Sequence, residues 1–93
     1  EYLRAPRKRP FFLITSFTQP HSPFRFPLGG DQIRPEGLPV PRVGPEDAWQ
    51  VPKIFRDLTD DQKRGINAAY YNSVAYLDQS VGRVLQALEA SGH

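Results

Sequence analysis

The chain has 93 residues, a net charge of +2 and a hydrophobic fraction of 39%, below the roughly 45–50% apolar usage of globular chains, so one small domain with a thin core is the most it could form. It contains no cysteine, which excludes disulfide staples, thiolate metal ligands and a cysteine nucleophile within these residues. Its longest apolar run, Phe11 to Ile14, is far short of the roughly 20 residues of a membrane-spanning helix, and no signal-peptide pattern opens it, so no membrane partner is expected. With Glu1 first and no methionine anywhere, the sequence is expected to be an internal stretch of a longer protein.

The basic opening, Arg4, Arg7, Lys8 and Arg9, reads as a solvated turn. Phosphate contact is the alternative, but no nucleic-acid motif accompanies it and no nucleic-acid partner is expected. Residues 11–17, Phe-Phe-Leu-Ile-Thr-Ser-Phe between Pro10 and Pro20, predict a short strand buried on both faces, as in a parallel sheet covered by helices. Residues 19–57 carry eight of the ten prolines, so no helix or central strand runs far there. A tether is the bland reading, but the interleaved Phe24, Phe26, Leu38, Val40, Val43, Trp49 and Phe55 favour a loop packed over a larger body.

The last third predicts a helix over about residues 59–91. Thr59 and Gln62 have capping-box spacing, and Asp60 and Asp61 complement the positive end of the helix dipole. Ile66, Tyr70, Val74, Leu77, Val81, Leu85 and Leu88 advance by three or four and form one apolar stripe, which ends before Gly92. Such a helix would reach roughly 45–50 Å and needs a larger partner surface than this chain offers. Gly65 and Gly82 would each cost about 1 kcal/mol against alanine, which predicts close backbone contact, at Gly82 above all. Strand, long loop and long helix together make one crossover of an α/β sheet.

Two stretches carry a family likeness. Pro10-Phe11-Phe12-Leu13 followed by Ser16-Phe17-Thr18-Gln19-Pro20-His21-Ser22-Pro23-Phe24 resembles the strand and Pro-His-x-Pro loop of sulfatases. Tyr70-Tyr71-Asn72-Ser73-Val74-Ala75-Tyr76-Leu77-Asp78, with Val81-Gly82-Arg83-Val84-Leu85, looks like the sulfatase helix that precedes a metal-binding strand. The likeness is nearest to the choline-sulfatase and iduronate-sulfatase branches. It implies that residues 1–93 are part of a sulfatase catalytic domain with an alkaline-phosphatase-like α/β/α sandwich fold. It also implies a sulfate-ester substrate, small molecule or glycan, and the remainder of the same domain as partner.

In that family a divalent metal, usually calcium, and a formylglycine made in a C/S-x-P-x-R motif carry the chemistry. Neither the motif nor the early paired aspartates occur here, and the resemblance places the later Asp-His ligands just beyond His93. His21-Ser22-Pro23-Phe24-Arg25 has proline and arginine at the motif's offsets, but a histidine cannot become formylglycine. The resemblance assigns one catalytic residue, His21, whose imidazole would contact the sulfate ester or protonate its leaving oxygen, chemistry that suits a side chain able to give or take a proton. Gln19 stands where related sulfatases often have lysine or histidine, and would bind substrate by hydrogen bonds without charge. No cofactor or metal ligand is assigned to these residues.

Blander readings accompany these. A loop histidine can simply satisfy carbonyls. Arg25 reads as a solvated arginine after a turn. Tyr70, Tyr71 and Tyr76 read as packing residues, and Asp78 as a surface charge near Arg83. Two other functions fit the same elements: a phosphonate monoester or phosphodiester hydrolase of the same superfamily, and a non-catalytic module whose helix binds a partner groove through Ile66, Tyr70, Val74 and Leu77.

Overall fold

The computed structural model describes residues 2–6, 8–29, 32–42, 44–47 and 49–92, the side chain of Arg4 excepted. Arg7 of the basic opening and Val43 of the loop therefore lie outside the described residues. Among the described residues four elements follow in order: a 3-10 turn at Tyr2–Arg4, another at Pro45–Asp47, a one-turn helix α1 at Lys53–Arg56 and a long helix α2 at Asp60–Glu89.

Helix α2 starts where its cap dictates. The Gln62 amide N–H donates to Thr59 Oγ1 at 3.2 Å, and the Thr59 amide donates to Gln62 Oε1 at 2.8 Å. Two backbone donors with no partner inside the helix are thus satisfied reciprocally. Asp60 and Asp61 in the first turn also pair with Lys63 at 3.7 Å and Arg64 at 2.9 Å, contacts worth a few tenths of a kcal/mol each at an exposed helix surface. At the far end Ser91 Oγ donates to the Leu88 carbonyl at 2.6 Å, and Gly92 takes φ +69, a left-handed conformation that stops the helix without a Cβ clash.

Two expectations are not met within this chain. Among the described residues there is no β-strand, so the strand over residues 11–17 and the α/β character it would supply are not formed within this chain. A strand needs a neighbour to take up its amides and carbonyls, and none is at hand; Phe12 and Ile14 remain 87% and 74% exposed. Likewise, a Cβ built at Gly82 or at Gly65 meets nothing within 4 Å, so neither glycine is closely approached by another element here.

The chain divides into two compact units, Glu1–Pro27 with Ser73–His93, and Leu28–Asn72. In the first, Leu3 is buried and the Tyr2 and Phe11 rings meet edge to face at 5.9 Å, a favoured aromatic geometry. Ser73 is fully buried, and its Oγ has no hydrogen-bond partner among the described residues.

In the second unit the proline-rich segment follows one side of α2, held by side chains rather than by a ladder. Arg64 Nε donates to the Leu38 carbonyl at 3.2 Å and Asn67 Nδ2 to the Pro39 carbonyl at 3.2 Å. Asn72 takes both backbone groups of Ile33, accepting from its N–H at 2.9 Å and donating to its carbonyl at 2.8 Å. Arg64, Ala68 and Asn72 share a helical row at i, i+4 spacing. Ala68 in the middle is buried. Gly37, at φ +80, takes the third position of a turn closed by the Leu38 amide and the Pro35 carbonyl at 3.1 Å, where positive φ favours glycine.

The helix stripe is largely uncovered: Ile66, Tyr70, Val74, Val81 and Leu85 are 37–53% exposed. Tyr70 and Tyr71 are similarly exposed, their rings 5.9 Å apart, so these two do not pack into a core formed by this chain. Among the described residues, no helix is long and apolar enough to cross a membrane.

Candidate functional site

His21 sits in a tight turn made by its own neighbours. Its amide donates to the Thr18 carbonyl at 2.9 Å, and the Gln19–Pro20 and Ser22–Pro23 peptides are both cis. The side chain is exposed, and Nδ1 lies 2.6 Å from the Ser22 carbonyl. A carbonyl can only accept, so Nδ1 must carry the proton of that bond. In the neutral ring this leaves Nε2 with the lone pair; in the imidazolium, Nε2 is a donor.

The loop-carbonyl bond of the bland reading is therefore present, and it leaves Nε2 as the ring nitrogen outside that contact. Gln19 lies in the same turn and is half-buried, while Arg25 is exposed. Asp78 is exposed on α2.

Among the described residues, no three His, Cys, Asp or Glu side chains converge as a metal site would require. A calcium ion needs six to eight oxygen ligands, and these residues do not form such a set. No serine or cysteine stands at the head of a C/S-x-P-x-R sequence.

The sequence was matched in full, residues 1–93, by the family model described as Sulfatase. The chain belongs to the sulfatase family. Among curated sulfatases it is 34% identical to the iduronate 2-sulfatase of Homo sapiens, covering 86% of this chain and 18% of that protein. It is 33% identical to an arylsulfatase of Clostridium perfringens, covering 96% of this chain and 20% of that protein. A sulfatase of Formosa agariphila is 29% identical over 90% of this chain and 19% of its own length. The chain thus spans about a fifth of the length of the sulfatases it matches. No solved structure gives a significant match. Sulfatase membership implies an alkaline-phosphatase-like fold for the whole domain.

Arg64, Asn67 and Asn72 as partners of the loop went unremarked in the sequence, although a signal existed. Prolines strip a segment of ladder donors while leaving its carbonyls, so polar side chains on a facing helix are natural partners.

Proposed function

We propose that the protein containing this chain is a sulfuric ester hydrolase in which His21 assists departure of the alcohol oxygen. The observation that carries the reading is the His21 turn inside a chain matched end to end by the sulfatase family, with Nδ1 held by the Ser22 carbonyl. In the imidazolium form Nε2 would donate its proton to the alkoxide oxygen as the S–O bond breaks. Proton donation at that moment removes the charge that makes an alcohol a poor leaving group, an effect typically worth about 10²–10⁴ in rate. Gln19 would orient the sulfate by neutral hydrogen bonds. Calcium and formylglycine belong to the family's chemistry, but the described residues supply no ligands for the metal and no nucleophile, so no step here is routed through them.

The exposed stripe of α2 and the segment 11–17, which forms no strand among the described residues, fit the same reading. Both would be covered by the remainder of one catalytic domain, in which residues 11–17 enter an α/β/α sandwich as a strand and α2 as a crossover helix. Burying half-exposed Leu85 and its neighbours would stabilise that arrangement by roughly 25 cal/mol per Å² of apolar surface.

The test uses the full-length protein with an aryl sulfate and an alkyl sulfate. A good aryl leaving group needs little protonation and a poor alkyl one needs much. His21→Ala and His21→Asn should therefore lower kcat for the alkyl ester by about 10²–10⁴ and for the aryl ester far less. Equal small losses for both esters would remove the acid role, and turnover of a phosphonate monoester above that of either sulfate would overturn the reaction class.

A further inference from the structure

Within the unit Leu28–Asn72, Val40–Arg42, Gly44, Pro45 and Val51 with residues of α1 and the first turns of α2 line an open cleft of about 840 Å³, a size within the roughly 300–1,000 Å³ of organic-ligand sites. Its lining carries four cationic side chains, Arg42, Arg56, Lys63 and Arg64, against one carboxylate, Asp60. The whole chain has a net charge of only +2, so this concentration is local. Like charges gathered at a concave surface raise the local potential and attract anions.

The cations are unequally committed. Arg64 is occupied by Asp61 and the Leu38 carbonyl, and Lys63 has a long, exposed contact to Asp60. Arg56 gives Nε to the Val51 carbonyl at 2.8 Å, which holds the guanidinium in place. Arg42 has no hydrogen bond or ion pair among the described residues. Phe55, 47% exposed, and Val51 provide apolar lining.

We propose that this cleft binds an organic oxyanion, a sulfate, sulfonate or carboxylate carried on an apolar skeleton. Arg42 and Arg56 take the oxyanion, Lys63 adds long-range attraction, and Phe55 with Val51 receives the skeleton. Guanidinium suits this role because its planar fork matches two oxygens of one group. The proposal goes beyond the hydrolysis reading and stands whether or not His21 is an acid.

Calorimetry on the full-length protein tests it, with 2-naphthalenesulfonate, which cannot be hydrolysed as an ester, with neutral 2-naphthalenemethanol and with inorganic sulfate. The sulfonate should bind most tightly, inorganic sulfate more weakly and the alcohol least. Arg42→Gln and Lys63→Gln should each weaken sulfonate binding at least fivefold and flatten its salt dependence, whatever happens to sulfate-ester turnover. Wild-type affinity in both variants, no sulfonate binding at all, or equal affinity for the neutral alcohol would overturn the proposal. Phenylglyoxal labelling of the wild-type protein, read by mass spectrometry, tests it without a variant: the sulfonate should protect Arg42, and unchanged labelling counts against the site.

Discussion

Asn72 brackets Ile33, accepting from its amide at 2.9 Å and donating to its carbonyl at 2.8 Å, while its amide nitrogen also reaches the Ala68 carbonyl at 2.9 Å. One helical side chain thereby does for a loop residue what a neighbouring strand would do, and only one orientation of the Asn72 amide satisfies all three bonds. The pairing spans 39 residues of sequence, so it ties the start of the loop to the middle of α2.

Asn72→Ala should lose both bonds and cost about 1–3 kcal/mol, at the net worth of a typical hydrogen bond. The sharper reading is hydrogen exchange at the Ile33 amide, which should become fast in Asn72→Ala. Asn72→Asp keeps an acceptor for that amide but turns a carboxylate toward the Ile33 carbonyl, so its protection should fall between the two. Unchanged Ile33 exchange in the alanine variant would show the bracket to be irrelevant.

Ser73 is fully buried, with no partner for its Oγ among the described residues. Burying an unpaired hydroxyl costs about 1–3 kcal/mol by protein measurements, and alanine removes the hydroxyl without adding volume. Ser73→Ala should therefore leave the melting temperature unchanged or raise it. A clear drop would mean that Ser73 Oγ has a partner in the whole protein, supplied by residues beyond those described.

The capping box at the start of α2 is exposed but well formed. Thr59→Ala should cost about 1 kcal/mol, the usual loss for an N-cap hydroxyl, whereas Thr59→Ser should be nearly neutral because it retains the acceptor. Thermal unfolding of the pair distinguishes a capping effect from general sensitivity at this position: equal losses in both variants would speak against the cap.

Gln19 offers a test of how the proposed site holds sulfate. Replacing the neutral amide by a cation in Gln19→Lys should lower KM for a sulfate ester several-fold at low ionic strength, and the gain should fade as salt screens it. Gln19→Ala should raise KM with little change in kcat, the signature of uniform binding. A selective loss of kcat in Gln19→Ala would instead give Gln19 a part in the transition state.

The long helix was legible because its information is local. The Thr59–Gln62 spacing and the apolar period act within a few residues, and the cap formed as written in the sequence. The apolar segment 11–17 was legible as chemistry but not as structure, since a strand exists only when another strand pairs with it. The same holds for Gly82, whose expected neighbour is not supplied by these residues.

The amino-acid sequence by itself determined the family, the helix with its cap, and the position of His21 in a Pro-His-x-Pro turn, all carried by residues adjacent or one helical turn apart. Only the structure showed that the His21 ring is held through Nδ1 by its neighbour in the turn, and only tertiary contacts decided that Asn72 reaches Ile33 and that Arg42, Arg56, Lys63 and Arg64 share one cleft. The proton location depends on a carbonyl brought to hydrogen-bond distance by the turn. The other two depend on where a proline-rich segment lies along a helix, which is governed by backbone carbonyls seeking donors and leaves no periodic trace in the sequence.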